Sequence, residues 1–96
     1  MLTGKQKRYL RSKTHSLKPV FQVGKAGVNE NLIKQTEDVL EARELIKINI
    51  LQNCAYDKHT IAEELASGAD AHVVQIIGNT IVLYKESQES KQIELP

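Results

Sequence analysis

The sequence predicts an α/β two-layer sandwich in the order α-β-α-β-α-β-β, built on a four-stranded mixed sheet. Three observations carry that prediction. Residues 45–51, LIKINIL, alternate apolar and polar with the period of two that marks a half-buried strand. Two β-branched runs, Val73 to Ile77 and Thr80 to Tyr84, are separated only by Gly78-Asn79, a turn suited to a tight hairpin. Three further stretches carry apolar residues at helical spacing behind a residue able to cap a helix. Helices interleaved with strands imply a sheet covered on one or both faces.

The first helix opens at Thr3-Gly4-Lys5-Gln6, which has the form of a capping box. Leu10, Thr14 and Leu17 give it a narrow packing stripe, and Lys5, Lys7, Arg8, Arg11 and Lys13 cover the other sides. Pro19 ends it, because the residue before a proline is pushed out of helical geometry. Val20, Phe21 and Val23 form a first strand, closed by Gly24-Lys25-Ala26-Gly27. Asn29 caps the second helix, which buries Leu32, Ile33, Thr36, Val39 and Leu40, turns Glu37, Asp38 and Glu41 outward, and ends near residues 42–44. The next strand sends Ile46, Ile48 and Ile50 towards the helices and Lys47 and Asn49 away. Asp57 caps a third helix with Ile61, Ala62, Leu65 and Ala66 on its buried side and Gly68 as its stop. The segment after Tyr84 is polar and lacks a period, so residues 85–96 are expected to fray as a flexible tail.

Ninety-six residues with 41% apolar content make a single domain spanning 1–96. The net charge of +1 hides a strong asymmetry. Residues 1–29 hold seven basic side chains and no acid, whereas residues 30–96 hold six basic and twelve acidic ones. Such a field steers a polyanion to one end. A merely soluble helix interleaves both signs to gain i,i+4 pairs, and the first helix gives these up. Cys54 is a lone cysteine, and His15, His59 and His72 lack metal-ligand spacing, so neither a disulfide nor a metal site is expected. No run is apolar enough for a secretory signal or a membrane span, which points to the cytoplasm and to no membrane partner. There is no glycine-flanked nucleophile, carboxylate pair in an apolar setting or cofactor motif. A nucleotide-binding P-loop is excluded by Pro19 in place of the upstream glycine and by Ala26 in place of the magnesium-binding hydroxyl. Neither an enzyme nor a cofactor is expected.

The Gly-x-x-Gly tetrapeptide is the motif with chemistry in it. Its two glycines are expected to take positive φ and to leave the loop amides open to a ligand. Lys25 and the helix start at Asn29 place positive charge beside those amides, which suits a phosphate and resembles the clamp of KH modules. Gly24, Lys25, Ala26, Gly27 and Asn29, with Lys5, Lys7, Arg8, Arg11, Lys13 and Lys18, are therefore the candidate RNA-binding residues. Aromatic residues are few, Tyr9, Phe21, Tyr56 and Tyr84, so contacts to the RNA backbone should outweigh base stacking, and the expected target is a structured RNA recognised through its shape. The alternatives are a protein-interaction module that docks a basic partner on Glu37, Asp38, Glu41, Glu63 and Glu64, and binding of DNA, which charge alone does not distinguish from RNA.

The basic first helix, VFQVGKAGVNENL with its loop, ELIKINIL and the VQIIGNTIVLYK hairpin together resemble the CRM domain (chloroplast RNA splicing and ribosome maturation) from about Thr3 to Lys85. The resemblance is to the stand-alone bacterial, YhbY-type form. It implies a fold similar to the C-terminal domain of bacterial translation initiation factor three, and association with ribosomal RNA in precursors of the large ribosomal subunit, with ribosomal proteins as further partners. The expected state is a monomer. The family's binding loop falls on Gly24 to Gly27 and its basic helix on Lys5, Lys7, Arg8 and Arg11. Its final strand commonly ends in arginine, here Lys85, which the resemblance makes a further candidate RNA-binding residue, and its hairpin turn often carries a basic residue where this chain has Asn79. Both departures shift expected binding to the loop and first helix.

Overall fold

A computed structural model describes residues 2–96. Its elements are α1 (Gly4–Thr14), β1 (Pro19–Val23), α2 (Glu30–Arg43), β2 (Leu45–Ile50), α3 (Lys58–Ala69), β3 (His72–Ile77) and β4 (Thr80–Tyr84). The sheet order is β1-β2-β4-β3; β1 runs parallel to β2, and the β2–β4 and β3–β4 pairs are antiparallel. The sheet is mixed, as expected.

Alternation along the strands divides the core in two. Ile46, Ile48, Ile50, Ile81 and Leu83 meet Leu40 of α2 and Ile61 and Leu65 of α3. The intervening Leu45, Val82 and Tyr84 join Val74 and Leu10 of α1 on the opposite face. Helices therefore cover both faces. Residues at the start of the chain cap α1 as the sequence implies: the Gln6 amide donates to Thr3 Oγ1 at 3.1 Å, and the Thr3 amide donates to Gln6 Oε1 at 3.0 Å.

Three expectations need correction. Pro19 does not end α1, which stops at Thr14 with His15 as its C-cap, so Leu17 lies beyond the helix and Pro19 opens β1. Gly68 does not stop α3, which continues to Ala69 and ends at Asp70 in the left-handed region (φ 55°, ψ 49°). Gly68 serves helix packing: a Cβ there would stand 2.6 Å from Ile33 Cδ1 of α2. The tail is also docked rather than frayed. Glu44, fully buried at the end of α2 with φ 66°, accepts hydrogen bonds from the amides of Ser87, Gln92 and Ile93 at 2.6–2.8 Å. Glu41 accepts from the Ser87 hydroxyl and from the amides of Gln88 and Glu89. Ile93 and Leu95 then pack against the α1 side of the core. Glu41 is thus not the free outward charge that helical spacing suggests.

Candidate nucleic-acid interface

The Gly24–Gly27 loop leaves the sheet where β1 ends and α2 begins, and the Gly27 amide closes it as a turn by donating to Gly24 O at 3.0 Å. Gly27 alone of the two glycines takes positive φ, at 71°; Gly24 does not, contrary to expectation. A Cβ on Gly27 would come within 2.7 Å of the Tyr56 ring, so this position needs glycine for space as well as for conformation. Lys25 and Ala26 are exposed at the tip. Asn29 spends its side-chain oxygen on the Leu32 amide at 2.8 Å, capping α2 and leaving its amino group for a ligand. Loop and cap line an open recess of ≈ 350 Å³ together with Gln22 and Gln35.

The first helix reaches this loop only through the sheet. Its N-terminal part lies beside His72 and Val73 and its C-terminal end beside Leu45, and His72, Tyr84 and Leu45 form one cross-strand row. So α1 crosses the strands at the end remote from the loop. One flank meets the tail: Gln6 Nε2 donates to Pro96 O at 3.3 Å, and Lys13 lines a recess with Gln92 and Ile93. At about 100° per residue, Arg11 and His15 fall on the other flank, towards the loop. Between that flank and the loop the sheet is bare of helix. Lys47, Asn49, Gln22, Thr80 and Gln75 share this face, set by their register with Val82 and with one another. The Thr80 hydroxyl donates to Asn49 Oδ1 at 2.9 Å, and the buried Gln75 Oε1 has no partner among the described residues. An open recess of ≈ 770 Å³ follows β1 past Lys18, Pro19, Gln22 and Asn49. Gln22 borders both recesses, so they adjoin at the β1 edge.

The structure thus joins Gly24, Lys25, Ala26, Gly27, Asn29 and Lys18 along one edge, with Arg11 on the α1 flank that faces the bare sheet, whereas Lys7 lines a recess at the β3 edge with Glu63 and Ser67 of α3. Lys13 lies on the tail-side flank of α1, where its Nζ stands 5.0 Å from the Tyr9 ring centroid, and Lys5 and Arg8 point away from the sheet. Lys85 is put to a different use. Its ammonium donates to Ala69 O at 3.1 Å and its amide to Glu44 O at 2.9 Å, tying β4 to the ends of α3 and α2. Lys47 joins the interface although sequence reasoning does not single it out. Its signal lies in the polar positions of LIKINIL, and only the sheet order shows that no helix covers them. Among the described residues the one ion pair is Lys91 with Glu86, so the basic residues of the first 29 positions carry no carboxylate partner.

A model of the CRS1 / YhbY (CRM) domain matches residues 2–85. The chain belongs to the CRM domain family. Its relatives include "Probable RNA-binding protein YqeI" of Bacillus subtilis, 68% identical over all of both chains. The "RNA-binding protein" of Haemophilus influenzae is 36% identical, covering 99% of this chain and 95% of its own length. The solution structure of a hypothetical protein from Staphylococcus aureus superposes with a TM-score of 0.83 at 58% identity, covering the whole of both chains. In this CRM domain, as the residue pattern implied, three helices surround a four-stranded mixed sheet. No helix among the described residues is long and apolar enough to cross a membrane.

Proposed function

We propose that this CRM domain binds structured RNA, gripping the sugar-phosphate backbone with the Gly24–Gly27 loop and carrying it along β1 and the bare sheet face towards α1. The observation that carries the proposal is the adjoining of the two recesses at Gln22, which sets exposed Lys25 and Lys18 along one edge of the sheet. Loop amides and the capped start of α2 offer donors to phosphate, and Lys18, Lys47 and Arg11 offer charge without competing carboxylates. The names of the relatives support RNA as the ligand. Within that reading the target is ribosomal RNA in precursors of the large ribosomal subunit, met in the cytoplasm by a monomer that binds without catalysing a reaction. Docking of a ribosomal or assembly protein on acidic helix faces is the weaker reading, since Glu41 is spent on the tail.

Replacing Lys25 and Ala26 with aspartates tests the loop directly. Both side chains are exposed, so the fold should stay intact while affinity for a structured RNA in an anisotropy titration falls at least tenfold. Unchanged affinity would remove the loop from the interface.

A further inference from the structure

Three large apolar side chains are exposed among the described residues, Leu51 (38%), Tyr56 (54%) and Ile77 (57%). All three lie at the loop end of the sheet. Leu51 follows β2 and donates its amide to Val23 O at 2.9 Å, and its Cδ1 would stand 3.7 Å from a Cβ on Gly24. Tyr56 sits just before α3, its ring pressed against Gly27. Ile77 ends β3 beside the hairpin turn, where Lys58 Nζ donates to Gly78 O at 3.0 Å and ties α3 to that turn. The 51–57 segment is also held internally, by Cys54 N donating to Leu51 O at 3.0 Å. Tyr56 is therefore a positioned aromatic, over half exposed, touching the residue that closes the phosphate-facing turn.

Resting on the proposed RNA-binding function, we infer that Tyr56 is a stacking platform for the base of an unpaired nucleotide whose phosphate lies on the Gly24–Gly27 loop. A base inside a duplex has both faces covered by its neighbours, so only a looped, bulged or single-stranded nucleotide can lay its face on the ring. Leu51 extends the apolar contact beside Gly24. The ligand class sharpens accordingly. The shape of a structured RNA is read along the sheet, and an unpaired nucleotide is captured at the loop, with little preference among bases because each presents a π-face.

Two RNA probes decide this: a blunt, fully paired duplex without a loop, and the same duplex with a four-nucleotide unpaired 3′ extension. The wild-type protein should favour the extended probe, and Tyr56→Ala should lower affinity for that probe by about tenfold, with little change for the blunt one. Tyr56→Phe should keep the preference. The chain has no tryptophan and three tyrosines, so binding of the extended probe should also quench tyrosine emission, and Tyr56→Ala should remove most of that quenching. Wild-type affinity for both probes in Tyr56→Ala would overturn the stacking role. If the Lys25→Asp, Ala26→Asp protein loses both probes in that case, RNA binding stands and only the platform falls; if that protein also binds normally, the underlying function falls. Loss of a protein partner by Tyr56→Ala with RNA affinity intact would assign the rim to protein and overturn the inference.

Discussion

Gly27 and Gly24 look alike in the sequence and differ in what they do. Gly27 holds φ 71° with a tyrosine ring where a side chain would go, and Gly24 has ordinary φ with Leu51 at van der Waals distance from the place a methyl would take. Gly27→Ala should therefore cost about 1–2 kcal/mol in backbone strain, more if Tyr56 cannot move aside. In a chain of this size each kcal/mol lowers Tm by about 4–8 °C. Gly24→Ala should leave Tm nearly unchanged. Thermal melts followed by circular dichroism check the pair, and equal losses would mean the two glycines carry the same constraint. The motif was legible in the sequence, but its division of labour was not: the ring that leaves no room for a side chain at Gly27 belongs to Tyr56, twenty-nine positions away.

Among the elements, the tail and the end of α2 form a unit that hydrophobic periodicity could not reveal. Apolar spacing reports packing faces, whereas this contact is made by carboxylates of α2 accepting amides from a segment more than forty positions later. Glu44 uses every polar group it has. Its amide donates to Leu40 O, its carbonyl accepts from Lys85, and its carboxylate takes three tail amides. Burial pushes its pKa up, but those amides and the Lys91 charge outweigh burial and hold it below the usual 4.5. Glu41 is also lowered, by the Ser87 hydroxyl and then by the amides of Gln88 and Glu89. Since both folded-state values are depressed, the stabilisation is complete above the ordinary carboxylate range and is lost as pH falls through the lowered values. Tail amides of Ser87, Gln92 and Ile93 should thus keep their hydrogen-exchange protection at neutral pH and lose it only when acidification passes below the ordinary carboxylate range. Glu44→Ala, which orphans one buried donor and two partly buried ones, should destabilise the domain by about 2–4 kcal/mol and expose the same amides at every pH. Slow tail exchange in that variant would contradict the role given to Glu44.

At the scale of the molecule, the element order, the hairpin and the isoleucine face of β2 follow from the pattern of residues, because periodicity and turn chemistry are local. The placement of α1 does not. A stripe of Leu10, Thr14 and Leu17 says that one side packs, but not against which face or at which end, so the gap between helix and loop was invisible in the sequence, as was Lys47 within it. The track over β1 and the bare sheet has a thermodynamic signature. With about six phosphate contacts, log affinity should fall against log salt with a slope of about −4 to −5, and Lys47→Ala should lessen that slope by about 1. An unaltered slope would take Lys47 out of contact with phosphate.

The most direct test of the whole account is an amide chemical-shift map of the protein titrated with a structured RNA. The predicted footprint covers Gly24 to Gly27, Lys18, Gln22, Lys47, Asn49 and Arg11, and leaves the outer faces of α2 and α3 unperturbed. A footprint centred instead on Glu37, Asp38, Glu63 and Glu64, with the loop amides unmoved, would contradict it.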